Sequence, residues 1–235
     1  MIIMDRVIKT FLLNGKSLPI LDVPHWEIEQ GQRVAIIGPS GSGKSTLLHL
    51  LSGILKPDSG SISVDHKLLH ELSEAARDQY RAEKIGYIFQ DFHLIPSLSA
   101  EQNIELVLPT HIPKADRKRR VHEWLEKVAM LDRKDHRPAQ LSRGQQQRIA
   151  IVRALINKPS LILADEPTGS LDFETASQIM SLLIDLCDAE GSTLVAVTHD
   201  LHLSELFQKT IHINEINSLV KRDISKNITN EIKAG

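Results

Sequence analysis

The run Gly38-Pro39-Ser40-Gly41-Ser42-Gly43-Lys44-Ser45-Thr46 satisfies the pattern G-x-x-x-x-G-K-[ST]. Glycines at these positions let backbone N–H groups converge on phosphate oxygens, and a helix starting there adds the favourable partial charge of its N-terminus. Lys44 supplies a point charge for β- and γ-phosphates, while the Ser45 hydroxyl suits a magnesium ion. A second element is Leu161-Ile162-Leu163-Ala164-Asp165-Glu166, an apolar run ending in two carboxylates. On a strand, neighbouring side chains point to opposite faces, so the two acids are expected to do different work. Asp165 suits the magnesium shell, directly or through water, and Glu166 suits the attacking water as general base or polariser. The cradle alone leaves G proteins, kinases and ATPases open; the carboxylate pair narrows that choice.

These groups need rigid elements beneath them. Val34-Ala35-Ile36-Ile37 is an apolar run ended by Gly38, and Leu47, Leu48, Leu50 and Leu51 follow the loop at helical spacing, with Gly53 as the expected C-cap. The order is therefore strand, phosphate loop, helix. Lys84 to Phe89, Leu161 to Ala164 and Thr193 to Val197 read as further buried strands, separated by helical patterns such as Phe173 to Ala189. Apolar strands alternating with helices imply an α/β fold with a mainly parallel sheet covered on both faces.

Two regions break that rhythm. Residues 1–30 and 54–66 read as short, partly alternating strands with turns at Asn14-Gly15 and Lys56-Pro57-Asp58-Ser59-Gly60, which suggests a separate antiparallel sheet. Residues 91–157 carry helical patterns and no strand, and read as an inserted helical subdomain. The expected organisation is one domain, with a core of residues 1–90 and 158–220, the insertion, and a polar tail at 221–235.

Lys and Arg total 28 against 30 Asp and Glu among 235 residues, a net charge of -2 that gives no field for gathering nucleic acid or anionic lipid. The basic run Lys114 to Arg120 precedes Val121, Trp124, Leu125 and Val128 at helical spacing and reads as the solvated face of an amphipathic helix. The one cysteine, Cys187, lies in a periodic helical stretch and reads as buried, in keeping with a reducing cytosol. Asp5, Arg6 and Lys9 interrupt the apolar start, which argues against a signal peptide, and no run of 18 apolar residues offers a membrane span.

Between the two phosphate-facing elements lies Leu141-Ser142-Arg143-Gly144-Gln145-Gln146-Gln147-Arg148. Ser142 stands as a helix N-cap before Ile149, Val152, Leu155 and Ile156, so a second helix end is presented to an anion. This segment resembles the signature motif of ABC ATPases. The likeness runs along nearly the whole chain: the cradle, Gln90 in Tyr87-Ile88-Phe89-Gln90 like the Q-loop, the Asp165-Glu166 strand, Ser170-Leu171-Asp172 like the D-loop, and His199 like the switch histidine.

The resemblance implies an ABC ATPase fold built on a P-loop NTPase core, with ATP as substrate and Mg²⁺ as cofactor. By the same likeness Glu166, His199, Lys44 and Gln90 serve catalysis, and Ser45, Gln90 and Asp165 hold the metal. The residues from Gly38 to Thr46 and Asp172 bind the nucleotide, joined by the signature residues Ser142, Gly144 and Gln145 of a second copy in a head-to-tail ATP-sandwich dimer. Phe11 lies near the place of an adenine-stacking tyrosine, and a core position suits its type equally. Arg143 stands where the family usually has glycine, which bears on close backbone approach there.

The stretches Phe89 to Ser99 and Ala164 to Asp172 look like those of the subgroup of lipoprotein-releasing, macrolide-exporting, antimicrobial-peptide-exporting and cell-division ATPases. That likeness implies a separate integral membrane permease as partner and a place on the cytoplasmic face of the inner membrane, with no nucleic acid expected. Two rivals remain. One is an ABC-type ATPase acting on DNA or ribosomes; the other is a P-loop kinase, which would not need the signature.

Overall fold

The computed structural model describes residues 1–221; the polar tail expected at 221–235 lies outside them except for Lys221. The chain opens with strands β1 (Ile2–Leu13) and β2 (Lys16–Ile28), joined at Asn14-Gly15. Asn14 and Gly15 take φ of 52° and 75°, the left-handed pair that a two-residue hairpin turn requires. These strands run 12 and 13 residues, longer than the short strands expected. The polar positions that suggested breaks lie on the outer face, while Ile2, Met4, Val7, Leu21, Val23 and Ile28 point inward. After β3 (Arg33–Ile37) and helix α1 (Lys44–Leu51), strand β4 (Ser59–Val64) returns to pair antiparallel with β1, and β5 (Lys67–Leu68) completes a four-stranded sheet in the order β2-β1-β4-β5.

The second sheet holds the chemistry. Helix α2 (Glu74–Lys84) leads into β6 (Ile85–Ile88), which pairs in parallel with β7 (Leu161–Asp165); β8 (Thr193–Val197), β3 and β9 (Lys209–His212) follow across the sheet. Every neighbouring pair in the order β6-β7-β8-β3-β9 is parallel. The architecture is thus α/β, a parallel sheet beside an antiparallel one. Five parallel strands bring five C-terminal ends to one edge, where ligands of open α/β sheets bind.

Helix α1 lies where the two sheets meet. Leu47, Leu48, Leu50 and Leu51 are completely buried against residues of both, including Met4 and Ile62 from one and Ile36, Leu163 and Val197 from the other. At about 2 kcal/mol for each buried leucine, this packing anchors the helix that carries Lys44 and Ser45. The helix C-cap is Ser52, and Gly53 takes the left-handed φ of 71° one residue beyond it.

Between β6 and β7 the chain forms only helices among these residues: α3 (Ala100–Glu105), α4 (Lys114–Lys127), two 3-10 turns and α5 (Arg143–Leu155). The basic run of α4 is solvated on one side, while Val121, Trp124 and Leu125 enter the core. Helix α5 approaches β6 closely at Gly86, where a Cβ would stand 2.4 Å from the Ala154 carbonyl oxygen. Helices α6 (Phe173–Glu190), α7 (Leu201–Ser204) and α8 (Ile213–Ile216) finish the described chain, with Cys187 fully buried in α6. Among the described residues no helix is long and apolar enough to cross a membrane.

Candidate active site

The phosphate loop spans the end of β3 and the start of α1, and its glycines are conformationally committed. Gly38, Gly41 and Gly43 take φ of 152°, 75° and 93°. At Gly43 a Cβ would meet the Leu21 side chain at 2.9 Å and the Ile20 carbonyl at 3.1 Å, so only glycine lets the helix start this close to β2. Lys44 is 7% exposed and donates to the carbonyls of Gly38 at 2.9 Å and Pro39 at 2.8 Å. Burial lowers the pKa of its ammonium, and the nearby carboxylates of Glu166 and Asp165 pull it back up. A cation held over loop carbonyls in a partly desolvated site has its charge at hand for an incoming polyphosphate.

A cavity of about 550 Å³ opens over this loop. Phe11, Ser40, Gly41, Gly43, Lys44, Ser45, Thr46, Gln90, Asp165 and Glu166 line it, together with Ile20. Phe11 is therefore not a core residue; it is 38% exposed on the cavity wall, with the Lys9 ammonium 5.6 Å from its ring centroid. An aromatic face at the mouth of a phosphate cavity suits a nucleobase.

Asp165 ends β7, and its Oδ1 accepts from the Ser45 hydroxyl at 3.1 Å. Burial raises its carboxyl pKa, while that hydrogen bond opposes the rise. Serine hydroxyl, aspartate and the nearby Gln90 amide form a set of hard oxygen donors, with no cluster of three His, Cys, Asp or Glu side chains among the described residues. Such a set fits Mg²⁺, which takes one or two protein ligands and leaves its other positions to phosphates and water.

Glu166 departs from the alternation expected of the two acids. It stands just past the strand with φ of 45°, a left-handed conformation, and its N–H bonds the Val197 carbonyl at 3.0 Å. Both carboxylates consequently border the same cavity, yet their partners differ. The Oε2 of Glu166 lies 3.1 Å from Nδ1 of His199, which follows β8. A second cavity of about 240 Å³ includes Glu166, Thr168, Gly169, Thr198, His199 and Asp200, so Glu166 forms the wall between the two.

Ser142, Gly144, Gln145 and Asp172 do not line the phosphate cavity. Ser142 caps α5: its Oγ accepts from the Gln145 N–H at 3.2 Å, and the Gln145 Oε1 accepts from the Ser142 N–H at 2.9 Å. Asp172 caps α6 by accepting from the Thr175 N–H at 3.0 Å. These helix starts lie together, because a Cβ on Gly144 would stand 2.8 Å from the Thr175 side chain. Arg143 sends its guanidinium sideways to the Ser170 carbonyl at 3.3 Å.

One residue of the site gave no signal in the sequence. Asn217 is completely buried, donates to the carbonyls of Ile20 at 2.9 Å and Ser42 at 3.2 Å, and accepts from the Asp22 N–H at 3.0 Å. It ties the phosphate loop to β2. These three partners lie 175 or more positions away in the chain, so no local pattern marks their contact with it.

A profile of the family described as ABC transporter matches residues 21–169. An uncharacterized ABC transporter ATP-binding protein of Bacillus subtilis, YvrO, is 40% identical over 216 residues, covering 92% of this chain and 94% of its own. The lipoprotein-releasing system ATP-binding protein LolD of Saccharophagus degradans is 39% identical over 209 residues, covering 88% and 92%. Among solved structures, a dimeric post-hydrolysis state of the ATP-binding cassette MJ0796 bound to ADP and Pi superposes with a TM-score of 0.83 at 37% identity, covering 92% of this chain and 94% of that one.

Proposed function

We propose a working cycle for this chain, which belongs to the ABC transporter family and is an ATP-binding, ATP-hydrolysing subunit of that family. In that cycle two copies pair head to tail around two ATP molecules. The observation that carries the pairing is a separation within one chain. The cavity over the phosphate loop contains no residue of the Ser142 helix end or of the Asp172 turn, although the Ser142 helix start, with no acidic residue in its first turn, suits an anion. A second copy turned about a two-fold axis would lay Ser142, Gly144, Gln145 and Asp172 across the nucleotide held by Lys44. That a similar cassette forms a dimer with ADP and Pi supports the arrangement.

Within each site the loop N–H groups and Lys44 grip the β- and γ-phosphates, while Phe11 lies against the base. Ser45, Asp165 and Gln90 would hold Mg²⁺, which when bound draws charge from the β- and γ-oxygens. Glu166 takes a proton from the water that attacks the γ-phosphorus in line, as the bond from that phosphorus to the β–γ bridging oxygen breaks and ADP leaves. His199 holds the Glu166 carboxylate with Nδ1 and turns its other ring nitrogen toward the γ-phosphate. ATP binding closes the pair, and phosphate release opens it.

The partner that receives this motion is a separate membrane permease, and the chain works against it from the cytoplasmic side. Its likeness to the lipoprotein-releasing ATPase supports an export or force-transmitting role. The net charge of -2 and the transporter names of its relatives favour this reading over a nucleic-acid machine.

Light scattering of the Glu166→Gln protein with saturating MgATP tests the pairing. The expected result is a dimer that disappears when Ser142→Arg is added. A Glu166→Gln protein that stays monomeric at saturating ATP would sink the proposal. Co-purification from membranes, with sequencing of the bound polypeptide, tests the permease assignment.

A further inference from the structure

Behind the carboxylate of Asp165 stands a group that the cycle above does not use. The register of the parallel sheet sets Tyr87 opposite Leu163 and Ile88 opposite Ala164. Tyr87 therefore lies on the same face as Leu163 and Asp165, two positions short of the aspartate. That face looks onto α1. From α1, His49 stacks on the Tyr87 ring at 5.9 Å between centroids, one helical turn beyond Ser45. Phe89 stacks on the same ring at 4.3 Å. The tyrosine is thus held by two neighbouring rings on the sheet face that also carries Asp165.

The hydroxyl of Tyr87 is buried, with no hydrogen-bond partner. A buried O–H without a partner costs free energy, and such a group often acts in a state other than the one observed. The state in question is the loaded one. At present the Ser45 hydroxyl donates to Asp165. Once the Ser45 oxygen faces a cation, its lone pairs are engaged there while its hydrogen still goes to Asp165 Oδ1, and the remaining lone pairs of the carboxylate are open to a second donor that would fix its orientation. Asp165 already makes itself felt at the phenol, raising the cost of ionising it beyond what burial alone imposes.

We propose that Tyr87 is a positioning residue for the divalent cation: its hydroxyl donates to the Asp165 carboxylate, directly or through one water, when the metal–nucleotide is bound. His49 and Phe89 pack against the phenol ring and limit its movement. Donors behind a ligating carboxylate fix its orientation and basicity, and their loss lowers metal affinity without touching the nucleotide contacts. The inference rests on the reading of Ser45 and Asp165 as the cation's ligands.

The test is a Mn²⁺ titration followed by electron paramagnetic resonance, on the full chain with saturating ADP, where no turnover occurs. Tyr87→Phe keeps the ring and removes only the oxygen. It is expected to raise the half-saturating Mn²⁺ concentration about tenfold, while ADP binding in EDTA changes by less than roughly twofold. Phe89→Leu, which loosens the stack but leaves the hydroxyl and the His49 contact, is expected to lose clearly less Mn²⁺ affinity than Tyr87→Phe. An unchanged Mn²⁺ titration for Tyr87→Phe overturns the inference. An equal loss in Phe89→Leu, or a parallel loss of metal-free ADP binding, overturns it too, because packing would then explain the effect. Asp165→Asn in the same titration separates the two levels: if it leaves Mn²⁺ affinity intact, the ligand assignment itself fails.

Discussion

The contact between Glu166 and His199 is short enough to be tested as a unit. Glu166 Oε2 lies 3.1 Å from His199 Nδ1, with side-chain exposures of 23% and 65% in the single chain. So open a pair contributes at most about 1 kcal/mol to folding. For a chain of this size, removing it shifts Tm by no more than about 4 °C. The transition state is a different matter. Loss of a general base costs about 10²- to 10⁴-fold, or roughly 3 to 5 kcal/mol. A hydrogen bond to a charged carboxylate contributes about 1.5 to 3 kcal/mol, so His199→Ala should slow hydrolysis about 10- to 150-fold. If the histidine acts on the same proton transfer as the glutamate, the double variant should fall less than about threefold below Glu166→Gln alone. Single-turnover phosphate release at saturating MgATP measures all four proteins. Factors that multiply independently would refute the coupling, and so would a His199→Ala protein with full activity.

Three other outcomes follow from packing. Gly86→Ala would press a methyl group onto the Ala154 carbonyl oxygen at 2.4 Å and the Ile162 side chain at 2.5 Å; a loss of about 1 to 3 kcal/mol is expected in urea denaturation at unchanged m. Asn217→Ala leaves the carbonyls of Ile20 and Ser42 without their buried donor, so at least about 2 kcal/mol of stability should go, and calorimetry should show weaker ATP binding as the loop loosens. Burial pushes the Cys187 thiol up to about 12, with Asp188 adding to the effect, so a disulfide reagent at pH 8 should leave the folded protein unmodified and react only after guanidinium is added.

What the sequence disclosed and what it withheld divide along a physical line. The phosphate loop is contiguous, its glycines sit where positive φ is demanded, and its flanking strand and helix bury continuous apolar runs. Every one of those signals is local. The α5 cap is legible for the same reason: Ser142 and Gln145 stand three apart and satisfy one another's backbone groups. Strand β9 is not, because Lys209-Thr210-Ile211-His212 buries one residue and exists by pairing with β3 at the sheet's edge. Helix α2 buries only Tyr80, so its apolar periodicity is too thin to announce it.

The same line passes through the site itself. Residue type identified Asp165 and Glu166 as a pair of acids with separate partners, and strand alternation set them on opposite faces. Alternation holds only while the backbone stays extended. At Glu166 it does not, and a left-handed φ of 45° turns the second carboxylate back toward the cavity that the first already borders. A non-glycine residue in that region carries a conformational cost of order 1 to 3 kcal/mol, which the surrounding sheet must offset, here through the bond from Glu166 N–H to the Val197 carbonyl. That strain gives two adjacent acids different partners, as the proposed division between metal ligand and general base requires. It follows that Glu166→Gly, which relieves the backbone, should raise stability even as it abolishes hydrolysis, and a Glu166→Gly protein less stable than the parent by urea denaturation would show that the side chain's contacts outweigh the strain.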